Sequence, residues 1–186
     1  MTPPNEPPPT VPDDKDWTVV VREPCAECGF DPTALARVDL AARIVATIGP
    51  WQSVLARTGP ELHDRPAPTT WSPLEYACHV RDVTRVFAGR LGSMLAQDDP
   101  PLPSWDQDAA AVEGRYFEAR PERVSDEYAE GAEVLAGAFD AVPDDAWDRP
   151  GRRSDGSAFT VETLGAYCLH DLEHHLGDVG LPPRQL

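Results

Sequence analysis

Four long segments of this 186-residue chain carry apolar residues at every third or fourth position, the spacing that places them on one face of an α-helix. Ser72, with Pro73 and Glu75 after it, forms a capping box for the second segment, and Thr160 caps the fourth. We predict helices over residues 33–57, 73–97, 122–142 and 161–179. Four amphipathic helices with few strand signals indicate an all-α protein, a four-helix bundle.

The segments between these helices give weaker signals. Pro50 should kink or interrupt the first helix, because proline cannot donate to the helical hydrogen-bond ladder. Trp17 to Val21 reads as a short β-like run, and residues 106–116 read as a short helix. We predict a tight turn over residues 154–157. These signals predict three regions in the chain: a disordered tail over residues 1–16, an extension over 17–32, and the bundle over 33–180.

Charge excludes several classes of partner. The formal net charge is −16 and the pI is near 4.5. An acidic surface repels nucleic-acid phosphates and anionic membranes, so we expect neither as a partner. No apolar run reaches the length of a membrane span, and the proline-rich N-terminus does not resemble a signal peptide. We therefore expect a cytoplasmic protein with reduced cysteines.

Histidines on two helices predict a metal site. His170 and His174 are four residues apart, so they lie about 40° apart on one face of the last helix. His79 lies on the second helix. Three neutral imidazoles suit zinc, nickel or iron(II), and three protein ligands leave coordination positions open. The predicted ligand set is His79, His170 and His174.

His175 is an alternative to His174. Asp171 and His175 form a second pair with the same four-residue spacing, rotated by about 100° from the first. A one-residue bulge would make His170 and His175 the pair instead. Asp82, Asp171 and Asp178 are expected to orient the imidazoles from outside the ligand set. We do not count Glu75 as a metal ligand, because its place in the capping box already accounts for a glutamate at this position.

Two motifs resemble those of a known family. The stretch 71–82, with sequence WSPLEYACHVRD, and the stretch 170–178, with sequence HDLEHHLGD, are similar to the metal-binding helices of DinB-like proteins. The resemblance covers roughly residues 33–179. It implies an up-down-down-up four-helix bundle with a divalent metal on three helix ligands, often as a homodimer. In many relatives Gln or Asp follows the second histidine by three residues; Asp178 keeps that spacing from His175.

Cys25 and Cys28, followed by glycine, resemble half of a zinc knuckle. A structural zinc site needs four ligands, and Cys78 and Cys168 are candidates to complete a second, four-cysteine site. The alternative for those two helical residues is that they are small buried side chains.

Three functions remain open. DinB-like relatives include mycothiol-dependent maleylpyruvate isomerase and mycothiol or bacillithiol S-transferases, which implies a metal-dependent thiol transferase acting on a small molecule. In a hydrolase the metal would activate water, with Asp82 or Asp171 as the base. In a non-enzymatic stress protein the ion would stabilise the bundle.

Overall fold

The computed structural model describes residues 15–181. Its α-helices are α1 (Arg37–Ala46), α2 (Ile48–Leu55), α3 (Pro60–His63), α4 (Pro73–Ala96), α5 (Gln107–Glu113), α6 (Pro121–Asp140) and α7 (Val161–Asp178). Short 3-10 helices lie at Trp17–Val21, Pro32–Ala34 and Tyr116–Glu118. Strand β2 (Pro150–Arg153) pairs in parallel with β1 (Pro101–Leu102) and antiparallel with β3 (Ala158–Thr160). The predicted disordered tail lies outside the described residues, apart from Lys15 and Asp16.

A four-helix bundle forms the body of the protein, as predicted. Helices α1 and α2 together form the first helix of the bundle, and α4, α6 and α7 form the other three. Helix α6 packs against α1, α2 and α4, and α7 packs against α4 and α1. The largest fully buried side chains between these helices are those of Trp51, Tyr128, Phe87, Phe139, Leu40, Ile44, Leu74 and Leu91.

Two helices, α1 and α2, replace the single helix predicted over residues 33–57. Helix α1 begins only at Arg37, and the interruption predicted at Pro50 lies at Thr47. The Thr47 hydroxyl donates to the Ile44 carbonyl at 2.6 Å and lies 2.6 Å from the Tyr128 hydroxyl, which stabilises the break. Pro50 then falls in the first turn of α2, where its missing N–H is not needed.

The buried face of α1 also differs from the predicted one. The three- and four-residue spacing of apolar residues in the first segment predicted that Val38 and Val45 would face the core. They are 84% and 43% exposed, whereas Leu40 and Ile44 are buried. The prediction failed because apolar residues occur on all sides of this helix, so the pattern did not select one face.

The predicted capping box at Ser72 and the predicted cap at Thr160 are both confirmed. Ser72 Oγ accepts from the Glu75 N–H at 3.3 Å, and a Glu75 carboxylate oxygen accepts from the Ser72 N–H at 2.8 Å. Glu75 is 1% exposed and also accepts hydrogen bonds from Nε and Nη2 of Arg65. The same reciprocal pattern joins Thr160 to Thr163 at the start of α7. These local signals set where the two helices with the candidate ligands begin.

Helices α4 and α6 approach each other closely at Gly131. A Cβ atom at this position would lie 2.3 Å from the Oγ1 atom of the buried Thr84. Any larger residue here would therefore force the Thr84 side chain of α4, the helix that carries His79, to move.

The N-terminal extension packs against α7. Trp17–Val21 forms a 3-10 helix rather than the predicted β-like run, because Asp16 caps it by accepting from the Thr18 N–H at 2.9 Å. Val20 is buried in the core, and the 3-10 helix contacts α7. None of the described helices is long and apolar enough to cross a membrane.

Candidate metal centre

Helix α7 presents two pairs of ligand-type side chains on adjacent faces. His170 and His174 form one pair, and Asp171 and His175 form the other. The two pairs are rotated by about 100° because consecutive helical residues differ by that angle. Helix α7 is continuous from Val161 to Asp178, so the bulge considered for this helix is not present.

The first group joins α4 to α7 inside the bundle. Ligand atoms of His79, Asp171 and His175 all lie within 4.8 Å of one another. Asp171 Oδ1 is 3.6 Å from His79 Nε2 and 3.1 Å from His175 Nε2. The outer nitrogen of His175, Nδ1, lies 2.7 Å from Asp178 Oδ2. A carboxylate that holds the second nitrogen of an imidazole is a common support for a metal ligand.

His79 is the most informative member of this group. Its side chain is 0% exposed, yet neither ring nitrogen has a hydrogen-bond partner. A buried polar atom without a partner costs about 1–3 kcal/mol, and most such atoms in proteins are paired. The rings of Trp71 and Trp105 lie 5.2 and 5.3 Å from the His79 ring and shield it from solvent. A metal ion coordinated by a ring nitrogen would supply a missing partner.

The charges at the group suit a cation. Burial lowers the pKa of His79, which leaves its imidazole neutral. Burial opposes ionisation of Asp171, but the adjacent imidazoles of His175 and His79 hold the pKa of this carboxyl below its ordinary value. Burial also opposes a charge on His175, but Asp171 and Asp178 outweigh it and raise the His175 pKa to about 9. The ion-free group therefore holds a proton on His175 that a cation would replace.

The second group joins α7 to the N-terminal extension. Ligand atoms of Cys25, Cys28, His170 and His174 also lie within 4.8 Å of one another. The Sγ atom of Cys25 is 3.8 Å from Nδ1 of His174. This group is separate from the first, although both use α7.

The structure thus divides the predicted ligand set. His79 is brought together with Asp171 and His175, and not with His170 and His174, because the latter pair faces Trp17 and Phe30 of the extension. Helical spacing cannot distinguish two pairs with the same interval. Two signals pointed to the observed arrangement: the second four-residue pair and the spacing from His175 to Asp178.

The cysteines also group differently from the expected four-cysteine site. Cys25 and Cys28 meet two histidines, while Cys78 and Cys168 are fully buried elsewhere in the core. The Cys78 thiol lies 3.8 Å from the carbonyl of Tyr116, at a distance typical of a weak hydrogen bond. These two residues fit the alternative interpretation, small apolar side chains in helices.

A cavity of about 310 Å³ opens beside the first group. Asp171 lines it together with Arg90, Arg153, Tyr167 and Trp105. The Nε atoms of Arg90 and Arg153 are buried and have no hydrogen-bond partner. Lys15 and the carboxylates of Asp106 and Asp108 also line the cavity, so groups of both charges lie next to the candidate metal ligands.

Comparisons with known proteins agree with this fold. The model of the DinB superfamily matches residues 51–179. A search of curated protein sequences gave no match. YfiT from Bacillus subtilis, described as a probable metal-dependent hydrolase with an unusual four-helix bundle topology, superimposes with a TM-score of 0.69 at 18% identity; the match covers 77% of this chain and 85% of YfiT.

A mycothiol-dependent maleylpyruvate isomerase gives a TM-score of 0.65 at 11% identity, as does a mutant of the same enzyme. The match covers 80% of this chain but only 62% of the isomerase, so the isomerase contains much that this chain does not match. At 18% and 11% sequence identity, these two similarities show that the fold is shared.

Proposed function

The chain belongs to the DinB superfamily, and we propose that it is a divalent-metal enzyme whose ion is held by His79, Asp171 and His175. The observation that carries this proposal is the buried His79 side chain, whose two ring nitrogens lack partners beside a carboxylate and a second imidazole. Two imidazoles and one carboxylate suit zinc, and also nickel or iron(II). Three protein ligands leave at least one position open for a small molecule.

We propose a thiol S-transferase that uses a low-molecular-weight thiol such as mycothiol. When bound, the ion supplies a Lewis acid that lowers the pKa of a coordinated thiol or water. The fold shared with a mycothiol-dependent isomerase supports this choice. We place the protein in the cytoplasm, a reducing compartment in which thiols such as those of Cys25 and Cys28 do not form stable disulfides.

Hydrolysis is the second candidate, supported by the fold shared with YfiT. Water needs a base to take its proton, and the two expected bases are already engaged. Asp171 belongs to the ligand group. Asp82 accepts from Arg81 at 2.8 Å and from the Tyr116 hydroxyl at 2.5 Å. Burial opposes ionisation of Asp82, but these bonds lower its pKa, so it is a weak base. A coordinated thiol must also lose its proton, but its pKa is far below that of water even before metal binding, so it can release the proton to solvent without either carboxylate as a base.

The cavity beside Asp171 suggests the class of substrate. Arg90 is only 7% exposed. Its Nη2 group donates to the Pro103 carbonyl at 3.1 Å, while its buried Nε has no hydrogen-bond partner. A buried guanidinium is costly unless an anion pairs with it. Arg153, by contrast, already pairs with Asp155. We therefore propose that the substrate carries a carboxylate or another anionic group, which Arg90 binds next to the metal ligands.

The proposed function is tested with metal-loaded protein, a low-molecular-weight thiol and a chromogenic electrophile. We expect conjugation that requires both the thiol and the metal. Turnover of an ester in the absence of thiol would support the hydrolase instead. If neither reaction occurs and metal removal only lowers the melting temperature, the protein is a non-enzymatic metal-binding protein and the proposal fails.

Replacing Arg90 with glutamine is expected to raise the KM for an anionic electrophile by about 10- to 100-fold, because a hydrogen bond to a charged group contributes about 1.5–3 kcal/mol. The KM for a neutral electrophile should change little. Steady-state kinetics with a matched pair of electrophiles gives both values. The exposed Arg152, which pairs with Asp99, provides the control Arg152→Gln. An equal rise in KM for both electrophiles would show that Arg90 has no role in charge recognition.

A further inference from the structure

The second ligand group is built from two distant parts of the chain. Cys25 and Cys28 come from the extension, whereas His170 and His174 come from one face of α7. Two thiols and two imidazoles are the donors of tetrahedral structural zinc sites. Ideal zinc–sulfur and zinc–nitrogen bonds place such atoms roughly 3.5 Å apart. The separation of 3.8 Å between Cys25 Sγ and His174 Nδ1 is close to this value.

The loop around the cysteines has the shape of a metal-binding knuckle. The Gly29 N–H donates to the Cys25 carbonyl at 2.8 Å, and the Cys25 N–H donates to the Phe30 carbonyl at 2.8 Å. Gly29 has a φ of 76°, which other residues adopt only with strain. The Phe30 N–H lies 3.5 Å from Cys28 Sγ and donates to it. A backbone donor of this kind favours the thiolate that a metal requires.

A second observation points to a missing ligand. His170 Nε2 is buried and has no hydrogen-bond partner. Cys25, His170 and His174 are 5%, 3% and 8% exposed, so little water reaches the group. A metal would provide a partner for the imidazole and neutralise two thiolates at once.

Neighbouring side chains support the same assignment. Nδ1 of His174 faces the Cys25 sulfur, while its other nitrogen, Nε2, lies 3.7 Å from a Glu27 carboxylate oxygen. A carboxylate on this side of the ring is the type of group that supports metal-bound imidazoles in other proteins.

We propose that Cys25, Cys28, His170 and His174 bind a structural zinc ion that fastens the N-terminal extension to α7. Four protein ligands close the coordination shell, so this ion has no position for a substrate. Its ligands on α7 directly precede Asp171 and His175 in the sequence. The zinc therefore holds in place the helix that carries two candidate ligands of the bundle site. This proposal does not depend on the proposed enzymatic function.

The proposal is tested by metal analysis and by cobalt(II) substitution. Cys25→Ser and His174→Gln should each lower the zinc content by one equivalent per chain. The cobalt protein should show thiolate-to-cobalt charge-transfer absorption that disappears in Cys25→Ser and persists in His79→Ala. The exposed His63 gives the control His63→Ala, which should retain all the metal.

Alkylation of the native protein removes the risk that a variant fails to fold. Cys25 and Cys28 should resist iodoacetamide until a chelator is added, as mass spectrometry of their peptide would show. Unchanged zinc content in Cys25→Ser would overturn the proposal. A cobalt protein without thiolate absorption, or a Cys25–Cys28 disulfide in the protein as purified, would also overturn it.

Discussion

His79→Ala is expected to weaken metal binding at the bundle site by at least about 100-fold. Loss of a supporting partner alone commonly costs 10- to 100-fold in metal affinity, and His79 is a ligand rather than a support. Thiol conjugation should fall to the background rate, because only α7 would still supply ligands. Equilibrium dialysis followed by elemental analysis measures the affinity. Nickel quenching of tryptophan fluorescence gives a second reading, since Trp105 stacks on His79.

The matched control for this variant is His63→Ala, since His63 is exposed and lies on α3, outside both ligand groups. It should bind metal with the affinity of the parent protein. If His79→Ala bound the bundle metal as tightly as His63→Ala, His79 would not be a ligand, and its buried nitrogens would need another explanation.

The largest loss of stability is expected for Trp51→Ala. The Trp51 side chain is 0% exposed, its indole N–H donates to the Leu172 carbonyl of α7 at 3.1 Å, and its ring meets Tyr128 of α6 edge-on. Replacing a buried tryptophan with alanine costs about 3–5 kcal/mol through lost burial and the cavity left behind. For a chain of this length that corresponds to a melting temperature lower by about 10 °C.

Thermal unfolding followed by circular dichroism checks this value. The exposed Val134 of α6 provides the control Val134→Ala, which should change the free energy of unfolding by less than about 0.5 kcal/mol. A Trp51→Ala variant as stable as Val134→Ala would mean that α2 does not hold α7 in the manner described.

The parts of the fold that depend on local chemistry were predictable. Residues 73–97 were predicted as a helix, and α4 runs from Pro73 to Ala96, because the capping box and the proline act within one helical turn. The start of α7 at Val161 follows from Thr160 in the same way. The break at Thr47 was not predictable at its position, since it depends on a contact with Tyr128, a residue far away in sequence.

The candidate site was predictable in its residue types but not in its grouping. The spacing placed His170 and His174 on one face of α7, and Asp171 and His175 on the next. Nothing in that spacing shows which face meets α4. Packing of the extension decides it, because Trp17 and Phe30 cover the His170 face. The Cys25 loop and α7 are separated by about 140 residues, so their meeting also depends on tertiary structure.

The central claim, that His79, Asp171 and His175 bind a divalent ion, is tested most directly by anomalous diffraction from crystals of the metal-loaded protein. Data collected on the two sides of the absorption edge of the metal locate the ion without reference to activity. We predict an anomalous peak within bonding distance of His79, Asp171 and His175, distinct from any peak beside Cys25. A metal-loaded crystal with no peak beside His79, or with a peak bound by His79 and His170, would contradict the account.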